Sequence, residues 1–171
     1  MNRIAAVITL ALFGIPAYAA DAPPNDAQIA HIAYTAGELD IAAAKQALAK
    51  SKNADVRKFA EEMVRDHQAV NKQALDLVKK LNVTPEANAT SASLSSDAKA
   101  KLDQYAKLTG AAFDKAYVAN EVHYHQTVNG ALETTLIPSA KNAELKSLLE
   151  TGLKLFKEHE HHATDLEAKL K

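Results

Sequence analysis

No cysteine occurs in the 171 residues. That excludes disulfides, thiolate metal sites and cysteine nucleophiles, and it leaves stability to packing alone. Tryptophan is absent too, aromatics make up only 5%, and Gly and Pro number five each. With so few breakers the chain divides into long segments. The apolar 47% is mostly Ala, Leu, Ile and Val, and no β-type alternating run is present. Ala and Leu lose little on entering a helix, so this composition favours helices. Neither sign of charge dominates, with 20 Lys and Arg against 21 Asp and Glu. Bulk charge therefore points to neither a nucleic-acid nor an anionic-lipid partner. A Gly-rich phosphate loop is missing as well, and helices alone give no Ser-His-Asp arrangement.

What is present begins with a leader. Met1-Asn2-Arg3 is a short positive start, Ile4 to Ile15 is apolar but short for a bilayer span, and Ala17-Tyr18-Ala19 is a small-x-small cleavage site. Residues 1–19 thus read as a secretory signal peptide, residues 20–25 as a tether, and residues 26–171 as the folded domain. The alternative for the leader is an uncleaved anchor. Export to the periplasm follows from the first reading, with no stable membrane span after cleavage.

Helical periodicity marks four long segments. Asn25 or Asp26 caps the first, which runs to about Lys50 with Ile29, Ala33, Ala36, Asp40, Ala43 and Ala47 inward. The second runs from about Ala54 to Leu81 and carries Val56, Phe59, Ala60, Met63, His67, Val70, Ala74, Leu77, Val78 and Leu81 inward. Asn82 to Ser96 is rich in Ser, Thr and Asn and reads as a loop, after which Ser96-Asp97 caps a short helix stopped at Thr109-Gly110. A third long helix spans about Ala111 to Leu136, ended by Pro138, and a fourth about Asn142 to Leu170. The first and last pairs are joined by short turns, so each is antiparallel. Between the pairs lie roughly thirty residues, a length that needs a purpose in a compact domain. Crossing the length of a bundle is such a purpose. The expected fold is all-α, a ferritin-like four-helix bundle whose long second-to-third crossover carries a short extra helix. The alternative is an up-down-up-down bundle with a loose loop.

The inward polar residues carry the chemistry. Asp40 lies 13 residues before Asn53 and His67 lies 14 after it, so an antiparallel turn there sets them level. With the second turn at Ser139-Ala140, His125 is 14 residues before Ser139, and Glu121, 18 before it, matches His159 better. Each helix then offers a polar residue near mid-height. Buried acids and imidazoles need partners, and a metal ion is one solution. Imidazole and carboxylate suit Fe, Zn, Cu or Mn. Glu121 and His125 (i, i+4) and His159 and His162 (i, i+3) can each face one site, and Asp66 can ligate or orient an imidazole. The candidate ligands are Asp40, His67, Glu121, His125, His159, Asp66 and His162. The plainer alternative is a hydrogen-bonded network: core histidines on Asp40 or Tyr124, a salt-bridged Glu121, a surface Asp66 beside Arg65, and a solvated His159–His162 run. The Glu-x-x-His pairs of di-iron carboxylate proteins are incomplete. Glu62 and His67 are five apart, and Glu158-x-x-His161 faces mostly outward.

The chain resembles the domain of unknown function 4142 family over about residues 25 to 170. The likeness rests on Asp40-Ile41 and the Ala-rich run after it, and on Phe59-Ala60-Glu61-Glu62-Met63-Val64-Arg65-Asp66-His67. Phe113-Asp114-Lys115-Ala116-Tyr117-Val118 with Glu121 and His125-Gln126 adds to it, as does His159 before Ala163. It departs where the family usually has Glu and this chain has Asp40, and where Glu121 is often Gln in relatives. The resemblance implies an exported ferritin-like bundle and marks Asp40, His67, His125 and His159 for testing. It implies no activity. The expected function is an exported metal-binding bundle, in metal handling or envelope stress. The alternative is a structural or interaction protein with no physiological metal. A catalytic role ranks behind both.

Overall fold

The computed structural model describes residues 22–170, so the leader reading and Lys171 lie outside the described residues. Six helices follow in order: α1 (Asp26–Lys50), α2 (Ala54–Lys80), α3 (Ala89–Ala106), α4 (Gly110–Ala131), α5 (Ile137–Ser139) and α6 (Ala143–Lys169). The described residues include no strand. They also include no helix long and apolar enough to cross a membrane.

Asparagine starts most of these helices. Asn25 forms a capping box with Gln28, Asn53 accepts from the amides of Asp55 and Val56, and Asn142 accepts from those of Glu144 and Leu145. Each satisfies donors that the first turn leaves unpaired. The α2 end turns at Asn82, whose φ of 52° is the left-handed conformation Asn tolerates after a helix.

Two expectations are corrected here. The stretch after Asn82 is a loop only as far as Asn88, and α3 is 18 residues long rather than beginning at Ser96-Asp97. Asn88 forms a capping box with Ser91, and the Ser side chains that suggested a loop bond back to the helix, as Ser95 Oγ does to the Ser91 carbonyl at 2.9 Å. Pro138, in turn, does not end the third long helix. The chain passes through one π-turn, Leu132–Leu136, in which Ile137 N–H donates to Leu132 O, and then makes a last α-turn. Proline has no N–H for the carbonyl four residues back, and the wider turn shifts the ladder just ahead of it.

The crossover is α3 itself. Asn88 Nδ2 donates to Gln28 O near the start of α1, and Lys50 Nζ donates to Ala106 O at its far end. At the lower end Asp26 accepts from the amides of Lys141 and Asn142, and Lys80 pairs with Glu144. Helices α1 and α6 therefore run up, α2 and α4 run down, and α3 climbs beside α1. This is the ferritin-like connection. The core is in two parts. Above lie Ala44, Ala47, Val56, Phe59, Met63, Phe113, Tyr117 and Leu166; below lie Ile29, Ile32, Leu132, Leu136, Leu145, Leu149 and Phe156. A polar layer separates them.

Candidate metal centre

Four helices supply that layer. Asp40 (α1), His67 (α2), Glu121 and His125 (α4) and His159 (α6) are all buried, none more than 4% exposed. On α4 the residues Tyr117, Glu121, His125 and Asn129 repeat every four positions and all are buried, so one face of that helix is a polar ladder inside the bundle. One donor atom each from His67, His125 and His159 lies within 4.8 Å of the others, and the same holds for Asp40, Glu121 and His125. His125 belongs to both groups. Asp40 Oδ2 is 3.5 Å from His67 Nε2 and 3.7 Å from His125 Nε2.

The rings are held from behind. His125 Nδ1 lies 2.9 Å from the Glu121 carbonyl oxygen, an acceptor only, so Nδ1 carries the proton and Nε2 is left with a lone pair. His159 Nε2 is 3.1 Å from Asp66 Oδ2, which leaves its Nδ1 buried without a partner. His67 stacks on Phe156 with ring centroids 4.8 Å apart and 9° between planes, and neither of its nitrogens has a hydrogen-bond partner. For His125 and His159 a hydrogen-bonded group behind the ring is the pattern that makes imidazole a ligand of defined tautomer, whereas His67 is held in place by stacking alone.

Burial governs the protonation of these groups. It lowers His67 to about 4 and lowers His125 and His159, so all three are neutral near pH 7. It raises Asp40, and it raises Glu121 well above its ordinary value, with the Asp40 charge adding to the effect. Burial works to raise Asp66 also, but hydrogen bonds from Arg65 and His159 outweigh it and hold the group low. Tyr117 and Tyr124 are raised by burial, and their phenols stay protonated.

Three neutral imidazoles and a carboxylate pair form an N/O donor set that fits a first-row transition metal. Metal–nitrogen bonds of about 2.0–2.1 Å require the donor atoms to close by roughly an ångström from their present spread.

Five of the seven residues expected at the site converge: Asp40, His67, Glu121, His125 and His159. Asp66 sits at the rim as the partner of His159. His162 stands apart from both buried groups, its Nδ1 2.8 Å from Glu62 Oε2 and its ring edge-on to Phe59. The register of the second pair also differs from expectation. His125, rather than Glu121, is level with His159, their centroids 5.4 Å apart. Because the helical path continues from α4 through the π-turn and α5 past Pro138, the turn centres on Asn142, which lies 17 residues from each histidine. Among the buried polar residues that were not foreseen, two extend this layer. Asn71 donates to Glu38 Oε1 at 2.8 Å, and Asn129 donates to Glu160 Oε2 at 2.8 Å. Each lies four residues after a site histidine, a spacing that could have found them.

Two cavities flank the layer. One of about 590 Å³ reaches His67 and His125 from the lower half and is lined mainly by Ala, Val and Leu. Another of about 370 Å³ lies under α3 and reaches Asp40 and Glu121.

The chain belongs to the family described as Domain of unknown function (DUF4142), which matches residues 15–166. No curated protein matches it. Among solved structures it is similar to a DUF305 protein of Streptomyces coelicolor described as secreted. That likeness has a TM-score of 0.72 at 10% identity and covers 85% of this chain and 93% of that one. It is also similar to CopM in its Cu(II)-bound form, with a TM-score of 0.67 at 13% identity, covering 88% of this chain and all of that one. At such identities the likeness shows the helical-bundle fold.

Proposed function

We propose that this member of the DUF4142 family is an exported bundle that binds one transition-metal ion through His67, His125 and His159. Asp40 and Glu121 supply carboxylate oxygens, and Asp66 orients His159 from behind. Its role on this reading is metal handling or protection of the cell envelope, without a catalytic step. The observation that carries the reading is the set of unpaired buried atoms. His67 Nδ1 and Nε2, His125 Nε2 and His159 Nδ1 lack a hydrogen-bond partner, and the Asp40 and Glu121 carboxyl groups have only each other. At about 1–3 kcal/mol for each unsatisfied group, that burden rivals the ~5–15 kcal/mol stability of a whole domain. An ion held by the imidazoles and carboxylates offsets it; a purely apolar layer would have avoided it.

Copper is a candidate on the strength of the Cu(II)-bound neighbour, and Zn, Fe and Mn fit the same donors. Export is supported by the leader sequence and by the neighbour described as secreted. The second reading, a structural protein with no metal, draws on the His125–Glu121 carbonyl and His159–Asp66 contacts, which can stand as a network by themselves.

Metal analysis of untagged protein separates the two readings. The proposal expects one ion per chain, lost in His67→Ala and His125→Ala. It also expects melting to fall when a chelator removes the ion, because a ligand bound only to the folded state stabilises it. Less than about 0.1 ion per chain with melting unchanged by chelator would reject it, since a stabilising ion must reveal itself in both.

A further inference from the structure

A second His/carboxylate group lies on the seam between α2 and α6. Glu62 and Asp66 are one turn apart on α2, and His159 and His162 are one turn apart on α6. His162 Nδ1 is 2.8 Å from Glu62 Oε2, and one donor atom each from Glu62, Asp66 and His159 lies within 4.8 Å of the others. Side-chain exposure falls steadily along the series: 38% at His162, 28% at Glu62, 15% at Asp66 and 1% at His159. His159 is shared with the buried group, where its partners are His67 and His125. A line of donors thus leads from solvent to the centre, with the His159 ring joining its outer and inner halves.

A hydrated dication has to exchange waters for protein donors stepwise, because crossing apolar surface without partners is costly. The large lower cavity offers such a cation little, being lined mainly by apolar side chains. The α2–α6 seam offers a donor at each step. We propose that Glu62, His162 and Asp66 form the loading path by which a divalent transition-metal ion reaches the buried centre. The ion passes from the Glu62–His162 pair to Asp66 and His159, and the inner imidazoles then take it. This rests on the metal-binding reading of that centre. Arg65 belongs to the device. Its guanidinium donates to both Asp66 oxygens, at 2.7 and 2.9 Å, so it occupies the carboxylate that an incoming cation must use. Arg65 is 68% exposed, so its guanidinium can swing into solvent when a dication takes the carboxylate.

Stopped-flow mixing of metal-free protein with Cu(II), followed by copper–imidazole absorption, tests the path. The Glu62→Gln, His162→Gln double variant should load about tenfold more slowly, as loss of a steering charge and a first donor slows association. Its final stoichiometry and affinity should stay within about threefold of the parent, because the inner donors are untouched. Arg65→Ala should load faster than the parent. Melting of each metal-free variant shows whether it is folded. If the parent binds one ion and the folded double variant loads at the parent rate, the path is wrong and the centre stands. If the parent binds no copper, the centre itself fails. If His67→Ala still binds copper as tightly while the double variant does not, the surface pair is a terminal site and the path is overturned.

Discussion

His67 shows how burial sets the chemistry of a single side chain. Asp40 faces it at 3.5 Å, His125 and His159 crowd it with centroids 5.8 and 5.4 Å away, and Asp66 precedes it on α2. Removal from water dominates, and the ring titrates near 4 instead of 6.5. The unfolded chain therefore takes up a proton below about pH 6.5 that the folded chain refuses until about pH 4. Stability present above pH 6.5 is lost as the pH falls through that window. The loss is about 3 kcal/mol for this ring, since each tenfold change in proton affinity is worth ~1.4 kcal/mol. Asp40 and Glu121 act the other way. Their folded values are raised, so the metal-free chain loses stability as pH rises through the carboxylate range. The clean measurement is a difference: urea unfolding of metal-free parent and His67→Gln at pH 7 and pH 4.5. The variant should lose less stability on acidification. Equal losses would mean that the ring is hydrated rather than desolvated. The inward position of His67 was legible from its stripe with Met63 and Phe59. Its lack of any hydrogen-bond partner was not, because that depends on what the other three helices place opposite it.

Between elements, close approach is decided by small residues. A Cβ on Gly37 would sit 2.3 Å from Asn71 Oδ1, so α1 and α2 are in contact through a site with room only for hydrogen. Asn71 cannot move away freely, since its amide donates to Glu38 Oε1 and to the Tyr34 carbonyl. Alanine gains about 1 kcal/mol over glycine in helix propensity. Overpacking costs about 1–3 kcal/mol and strips Asn71 of its bonds, so the clash wins. Gly37→Ala should lower melting by about 2–8 °C for a net loss of 1–2 kcal/mol. In an Asn71→Ala background the same change should be neutral or stabilising, and a double-mutant cycle showing no such coupling would remove the argument. The four long helices were legible because their apolar stripes are periodic and their Asn caps conventional. Helix α3 was half hidden, since Ser and Thr that would favour loop are satisfied by bonds to its own turns. The level of His159 was misplaced because Pro138 looks like a terminus in sequence, and only the π-turn lets the helix continue past it.

For the molecule as a whole, the polar layer is a boundary between two unequal halves. The upper core holds Phe59, Phe113, Tyr105 and Tyr117 in mutual edge and stacked contacts. In the lower half Val70, Ala74, Leu77 and Val78 of α2 are only partly buried, and the 590 Å³ cavity lies among them. Cavity surface forgoes the dispersion contacts a packed core makes, so the lower half is the one that opens first. The lengths of the helices and of the crossover foretold the topology, yet nothing in the pattern foretold this asymmetry, which depends on how well four stripes fill one space. An ion at the boundary would tie α1, α2, α4 and α6 together at one level. Amide exchange measured on metal-free protein should be faster in Ala74–Lys80 and Leu145–Leu149 than in Phe59–Met63 and Tyr117–Glu121. Adding metal at 100 times its dissociation constant supplies about 2.7 kcal/mol. An opening of the lower half that separates the ligands should become rarer by that full amount, and so should the global unfolding that limits the upper half. A gain confined to the upper half would mean that the lower half opens without releasing the ion, and equal exchange in both halves before metal is added would make the bundle a single cooperative unit in which the layer divides nothing.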